Sequence, residues 1–349
     1  MLLTSARAPY PGLRPFNSDE HDLFFGRDQQ ILDIVDRLGA FHFAAVIGGS
    51  GCGKSSLIYA GVIPKLRTYG IPQCGDSWLV ASCLPGKNAI EKLKIALNAV
   101  LTRLSGESDD KRIAKIEETL SEADGLGEFA ERFRSQMPGT ETQREDTNLL
   151  VFIDQFEEIF RPENQDNPQV RQLVRLIIDA YKEKPPHVFV LLTMRTEDLG
   201  KCANFLELPE VLNAASYLTR RLNEDELEQA ILDPAKQGDL AKEAGAESSS
   251  GKMELGRFDV EVMMQLYDSV AEISSNDPDH LPLLQHFLSR LWEAAQKRES
   301  SATPSRITMA DLQEATGTDA STEQSILRRS LAKYADAIYQ NLESDQHRR

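Results

Sequence analysis

The chain has 349 residues, 41% hydrophobic and 27% charged. That is ordinary for a folded protein and too long for one core, so wholesale disorder is excluded and two or three packed units are expected. The formal net charge of -16 excludes nonspecific nucleic-acid binding through a dense basic surface.

The opening Met1 to Arg7 has too short an apolar stretch for a signal peptide, and no later run approaches the ~18 residues of a spanning helix. No membrane is expected, and a cytoplasmic location follows. Phe24-Phe25-Gly26-Arg27-Asp28 precedes a predicted helix of about three turns. Phe25 and Arg27 either frame a base or form an aromatic anchor with a helix cap.

Four apolar runs then follow, at Phe41 to Ile47, Trp78 to Cys83, Leu149 to Ile153 and Val188 to Thr193. They are continuous rather than alternating and are separated by helix-length stretches, the pattern of a parallel α/β sheet covered on both faces. Leu126, Phe129, Ala130, Phe133 and Met137 form a helical stripe. It falls in a charged stretch from Ser105 to Thr147 that reads as a helical insertion between the second and third strands.

After Tyr217 the strand signal fades, and helices are predicted over Glu224 to Asp233, Phe258 to Val270, Leu281 to Gln296 and Glu323 to Leu342. Ala241 to Lys252 has the composition of a surface loop. The cysteines at 52, 74, 83 and 202 show neither CxxC pairs nor a metal-ligand spacing, and read as reduced thiols.

The chemistry begins after the first strand. Gly48-Gly49-Ser50-Gly51-Cys52-Gly53-Lys54-Ser55 has the spacing and the strand-loop-helix setting of a Walker A loop, and leads into Ser56-Leu57-Ile58. Its glycines let backbone N–H groups turn toward a β-phosphate, and a helix beginning at Gly53 adds its positive end. Lys54 suits the β- and γ-phosphates, and Ser55 offers a hydroxyl to Mg²⁺.

The third strand runs out into Asp154-Gln155-Phe156-Glu157-Glu158. Ligands bind at the carboxyl edge of such sheets, so Asp154 is placed to hold Mg²⁺ through water. Glu157 or Glu158 either polarises an attacking water or is a solvated helix start. The fourth strand ends Met194-Arg195-Thr196-Glu197-Asp198. Arg195 is there either a γ-phosphate sensor or a partner of Glu197 or Asp198.

Together these residues resemble the novel STAND-type P-loop NTPases, relatives of the NACHT and apoptotic ATPase switches. Pro9-Tyr10-Pro11-Gly12-Leu13-Arg14-Pro15-Phe16 resembles that group's amino-terminal signature, and Phe24 to Asp28 its "hhGRE" motif with Asp for Glu. Asp154 to Glu158 is similar to its extended Walker B, and Leu192 to Arg195 to its sensor strand. His280-Leu281-Pro282-Leu283-Leu284 resembles the lid "GxP" segment, with His280 in place of glycine.

The resemblance implies a P-loop sheet sandwiched by helices, then an all-α lid and the start of a winged helix. Its segments are an amino-terminal signature over 1–40, an α/β domain over 41–216, a lid over 217–320 and a helix leading into the winged-helix region over 321–349. It also implies adenine contacts from Phe25, Gly26, Arg27 and Pro282, and favours Glu158 over Glu157 for orienting water. The function implied is an ATP/ADP switch with slow hydrolysis, self-association on activation and a role in defence or stress signalling, with sensor repeats and an effector in the natural protein. A constitutive remodelling ATPase or phosphotransferase, and a noncatalytic nucleotide-stabilised scaffold, are the competing classes.

Overall fold

Strands β1 (Phe43–Gly48), β2 (Ser77–Cys83), β3 (Thr147–Ile153), β4 (Val188–Arg195) and β5 (Ser216–Leu218) pair in parallel in the order β2-β3-β4-β1-β5. These come from a computed structural model, which describes residues 8–72, 74–105, 110–121, 125–137, 140, 146–164, 166–240, 257–274, 280–301, 304, 306–317 and 326–346. The predicted surface loop from Ala241 to Lys252 lies outside the described residues.

Every residue of β1 and β3 is buried, as is all of β4 except Arg195, because helices cover both faces of the sheet. Side chains alternate between those faces. Phe43, Ala45, Ile47, Leu149, Val151, Ile153, Val190, Leu192 and Met194 join one core with the helices α3 (Ala89–Ser105), α5 (Gly125–Gln136), α6 (Pro168–Glu183) and α7 (Leu208–Ala215). On the other face Phe152 meets Tyr59 edge-on at 5.2 Å, and Phe189 meets Trp78 at 4.8 Å. The insertion holds α4 (Asp110–Leu120) and α5, and the buried ammonium of Lys94 on α3 reaches Glu117 of α4 at 3.0 Å.

Several boundaries differ from the sequence expectation. Phe41 closes helix α1 (Asp28–Phe41) instead of opening β1, because His42 adopts φ 54 and turns the chain. That helix is 14 residues, about four turns rather than three. The helix after the phosphate loop, α2, starts at Lys54 and not Gly53. It comprises Lys54–Ser56, a π-helical stretch Leu57–Val62 and Ile63–Tyr69. Pro64 has no N–H for the ladder and its ring crowds the carbonyl one turn back, which accounts for the widened turn before it. Strand β5 was not expected.

Residues 28–49 and 57–220 make this α/β unit. The described parts of 1–27, 50–56 and 221–349 make a second unit, built on helices α8 (Glu224–Leu240), α9 (Val260–Ser274), α10 (His280–Glu299), α11 (Met309–Thr316) and α12 (Ile326–Gln346). Its core gathers Ile231, Leu232, Leu266, Phe287, Leu288, Trp292 and Leu312 around Tyr10. Tyr10 donates its hydroxyl to Ile231 O at 2.5 Å and meets Trp292 edge-on at 6.3 Å.

Helix α8 runs through Pro234, where the sequence predicted an end at Asp233. An interior proline costs about 3 kcal/mol. Ile231, Leu232 and Ala235 are nearly inaccessible, and burial of one such aliphatic side chain stabilises by about 2 kcal/mol, so continuing the helix wins. In the stretch where the resemblance implied the start of a winged helix, the described residues hold the single helix α12. No helix among the described residues is long and apolar enough to cross a membrane.

Candidate nucleotide site

The loop after β1 takes its shape from glycine. Gly51 and Gly53 sit at φ 68 and 89, conformations that side-chain-bearing residues rarely adopt, and α2 begins at the next residue, Lys54. The first N–H groups of a helix have no intrahelical partner, and its dipole leaves that end positive. Lys54, Ser55 and Ser56 thus lie at the positive end of a helix, a setting that suits anions. A second cue is Lys54 Nζ, 3.9 Å from Cys52 Sγ.

The amino-terminal motif meets this loop. Arg27 is 4% exposed, and its Nη2 donates to the carbonyl of Cys52 at 3.0 Å. Gly26, at φ 77, lies against the backbone of Glu226 in the first turn of α8. A Cβ there would overlap the Glu226 carbonyl oxygen and stand 3.0 Å from its carbonyl carbon. Phe25 is half-buried, and the neighbouring Phe24 packs edge-on against Phe16 at 5.4 Å. The backbone N–H of Phe16 donates to Ser56 Oγ at 3.2 Å.

In the α/β unit the carboxyl ends of β3 and β4 carry the acidic residues. The register Ile153↔Leu192 sets Asp154 beside Thr193 on the same face. Thr193 Oγ1 donates to Asp154 Oδ1 at 2.5 Å and accepts from Gln155 N–H at 2.9 Å. Gln155 takes a left-handed conformation at φ 53, turning the chain into the 3-10 segment Phe156–Phe160. Asp154 is buried, and Thr193 fixes its carboxylate. The sequence reading overlooked Thr193, although a polar residue in an apolar strand was the available signal.

Gly48 pairs in register with Arg195. Arg195 does not use Glu197 or Asp198, the ion-pair partners suggested by sequence proximity. Its Nε lies 3.0 Å from Glu157 Oε1, and its backbone N–H donates to Glu157 Oε2 at 3.3 Å. Asp198 pairs instead with Lys201 at 2.6 Å. The Glu157 side chain is 8% exposed and that of Arg195 49%, so the guanidinium has an open side while the carboxylate does not.

Glu158 faces Arg161, with Nε to Oε2 at 2.6 Å and Nη2 to Oε1 at 2.7 Å. This two-pronged pair restrains its carboxylate. Pro282 occupies the first turn of α10, where its missing N–H costs no helical hydrogen bond, and it is half-buried. Cys83 and Cys202 are free thiols whose pKa values burial pushes up to about 12 and about 11, so neither is a ready nucleophile.

Among the described residues no group of three or more His, Cys, Asp or Glu side chains is gathered to hold a metal. Magnesium suits such a setting, since it commonly keeps waters and binds through one or two protein oxygens plus phosphates. By residue type each unit carries groups that fit a Mg²⁺-nucleotide: in one, positive-φ glycines followed by a lysine and a serine opening a helix, and in the other a buried aspartate oriented by Thr193.

The chain is similar to the Walker-type ATPase of Pyrococcus abyssi, with 14% identity, a TM-score of 0.47, and coverage of 96% of this chain and 79% of that one. It is also similar to Cdc6p from Pyrobaculum aerophilum, with 14% identity, a TM-score of 0.49 and coverage of 83% and 65%. The ORC2 protein of Aeropyrum pernix, solved as ADPNP and ADP complexes, gives 12%, 0.47, 85% and 67%. No curated protein sequence matches. The family model for Novel STAND NTPase 1 matches residues 9–349, so the loop, the acidic strand end and the helical unit all fall within it, and the chain belongs to that family of P-loop NTPases.

Proposed function

We propose that the chain binds ATP and ADP with Mg²⁺ and hydrolyses ATP slowly, as the nucleotide-dependent switch of a signal-transducing ATPase. The observation that carries the binding step is the phosphate loop, with Gly51 and Gly53 at positive φ immediately before a helix that opens Lys54-Ser55. Gly48 to Gly53 supply backbone donors, Lys54 engages the β- and γ-phosphates, and Ser56 adds a hydroxyl. Ser55 and Asp154 would hold Mg²⁺, which would supply neutralisation of the phosphate charge.

Asp154 is suited to this role because Thr193 holds its carboxylate in one orientation before any ligand arrives. Arg195 offers its exposed guanidinium edge to the terminal phosphate while Glu157 holds the other edge. Glu158 orients the attacking water once Arg161 releases it, with Glu157 the second candidate for that role. Phe25, Gly26, Arg27 and Pro282 belong to the base-proximal set by family resemblance.

Family membership supports the switch reading: nucleotide state sets lobe closure and self-association, in cytoplasmic defence or stress signalling. A ligand moves such an equilibrium only as far as its affinities for the two states differ. Lys54→Ala tests the foundation. Calorimetry with Mg·ATP should show no measurable binding to the variant, and undiminished affinity would sink the nucleotide assignment.

A further inference from the structure

We propose that Arg27 is a positioning residue for the phosphate loop, and that the segment from Tyr10 to Arg27 is a strap holding that loop's donors in place. The proposal rests on the nucleotide reading above. Arg27 is 4% exposed, and its Nη2 donates to the carbonyl of Cys52 at 3.0 Å. The Cys52–Gly53 peptide is trans and planar, so its C=O and N–H point in opposite directions. A guanidinium that holds the Cys52 carbonyl on one side of the loop presents the Gly53 N–H on the other.

The helical turn just beyond the loop is held by the same strap. Phe16 N–H donates to Ser56 Oγ at 3.2 Å, which occupies a lone pair of the hydroxyl and leaves its hydrogen to donate elsewhere. Arg27 and Phe16 thus reach the loop and its first helical turn through two separate hydrogen bonds.

The strap is itself fixed within the helical unit. Tyr10 is buried and donates to Ile231 O at 2.5 Å. Arg14 grips the buried carboxylate of Glu20 with both terminal guanidinium nitrogens, at 2.7 and 2.5 Å, and Glu20 also accepts from Asn17 N–H at 2.8 Å. Gly26 rests on the Glu226 backbone, one residue before Arg27. A side chain on position 26 would lift the strap off α8 and take Arg27 with it. Arg27 therefore acts on the phosphates through Cys52 and Gly53, a role separate from the base-proximal one that the family resemblance implies.

The two roles for Arg27 separate by ligand. Mg·ATP and Mg·tripolyphosphate, which lacks base and ribose, are titrated calorimetrically into the full chain as wild type, Arg27→Ala and Arg27→Lys, with apo melting curves recorded beside them. Arg27→Ala is expected to weaken both ligands by the same factor, about tenfold, the loss of one charge-assisted hydrogen bond's ordering. Arg27→Lys, which keeps the charge and one donor, should fall between the two.

A loss confined to ATP overturns the proposal and places Arg27 on the base. Unchanged affinity for both ligands also overturns it. Should Arg27→Ala fail to melt cooperatively, the same comparison is read from Arg27→Lys alone. A wild-type chain that binds neither ligand overturns the nucleotide reading itself.

Discussion

Gly26 admits no side chain, and the cost of adding one separates two physical effects. Its φ of 77 is one, since a left-handed backbone costs an L-residue about 1 to 2 kcal/mol. The overlap of a new Cβ with the Glu226 carbonyl is the other; backbone on both sides must shift, and overpacking of this kind costs about 1 to 3 kcal/mol more. Gly12, at φ 74, would set a Cβ at ordinary contact distance, 3.7 Å from Ser289 Oγ, and carries the first effect without the second. Both glycines lie in the helical unit. Gly12→Ala is therefore expected to cost about 1 kcal/mol and Gly26→Ala about 3 kcal/mol. Of the two tryptophans, Trp292 belongs to the helical unit and Trp78 to the sheet. In a Trp78→Phe background, Trp292 fluorescence under urea reports the helical unit alone. Equal destabilisation by the two variants would refute the close approach of Gly26 to α8.

Thr193→Val removes the hydroxyl that donates to Asp154 and accepts from Gln155, at a fully buried site. It should lower stability by about 2 kcal/mol and raise the Mg²⁺ concentration needed for half-maximal ATP binding, measured by denaturation and by Mg²⁺ titration. Glu158→Gln should slow phosphate release at least about tenfold in single-turnover assays with ATP affinity unchanged, and an unaltered rate moves the role to Glu157. Burial raises the Asp311 carboxyl, but hydrogen bonds from Arg298 and Thr308 outweigh it and hold the group below its ordinary value. The unfolded chain then binds the proton more readily. The stabilisation is present above the ordinary carboxylate pKa of about 4 and is lost as pH falls from there toward the depressed folded value. Arg298→Gln should flatten that acid limb in urea titrations run at successive pH values.

What the sequence revealed and what it hid divide along a physical line. The Walker A loop, Asp154 and Arg195 depend on local spacing: glycines, a lysine and the last residues of apolar strands remain recognisable wherever the sheet places them. Four strands were visible for the same reason, since burial on both faces leaves uninterrupted apolar runs. Strand β5 was not, because three residues at the sheet's edge, with Ser216 half-buried and Leu218 exposed, leave no run to see.

Pairings were the hidden part. Arg195 has acidic residues two and three positions along the chain, yet Glu157, 38 residues away, is its partner, because parallel pairing of β3 with β4 brings their carboxyl ends together. Parity and register decide such contacts, and both require the sheet order that a single chain's pattern leaves open. The same holds for Gly26-Arg27. The sequence offered a base contact or a helix cap, whereas the chain path makes Gly26 a seat for Glu226 and Arg27 a clamp on Cys52 O. A motif read as touching the nucleotide therefore has a second way to matter: by fixing a peptide of the phosphate loop.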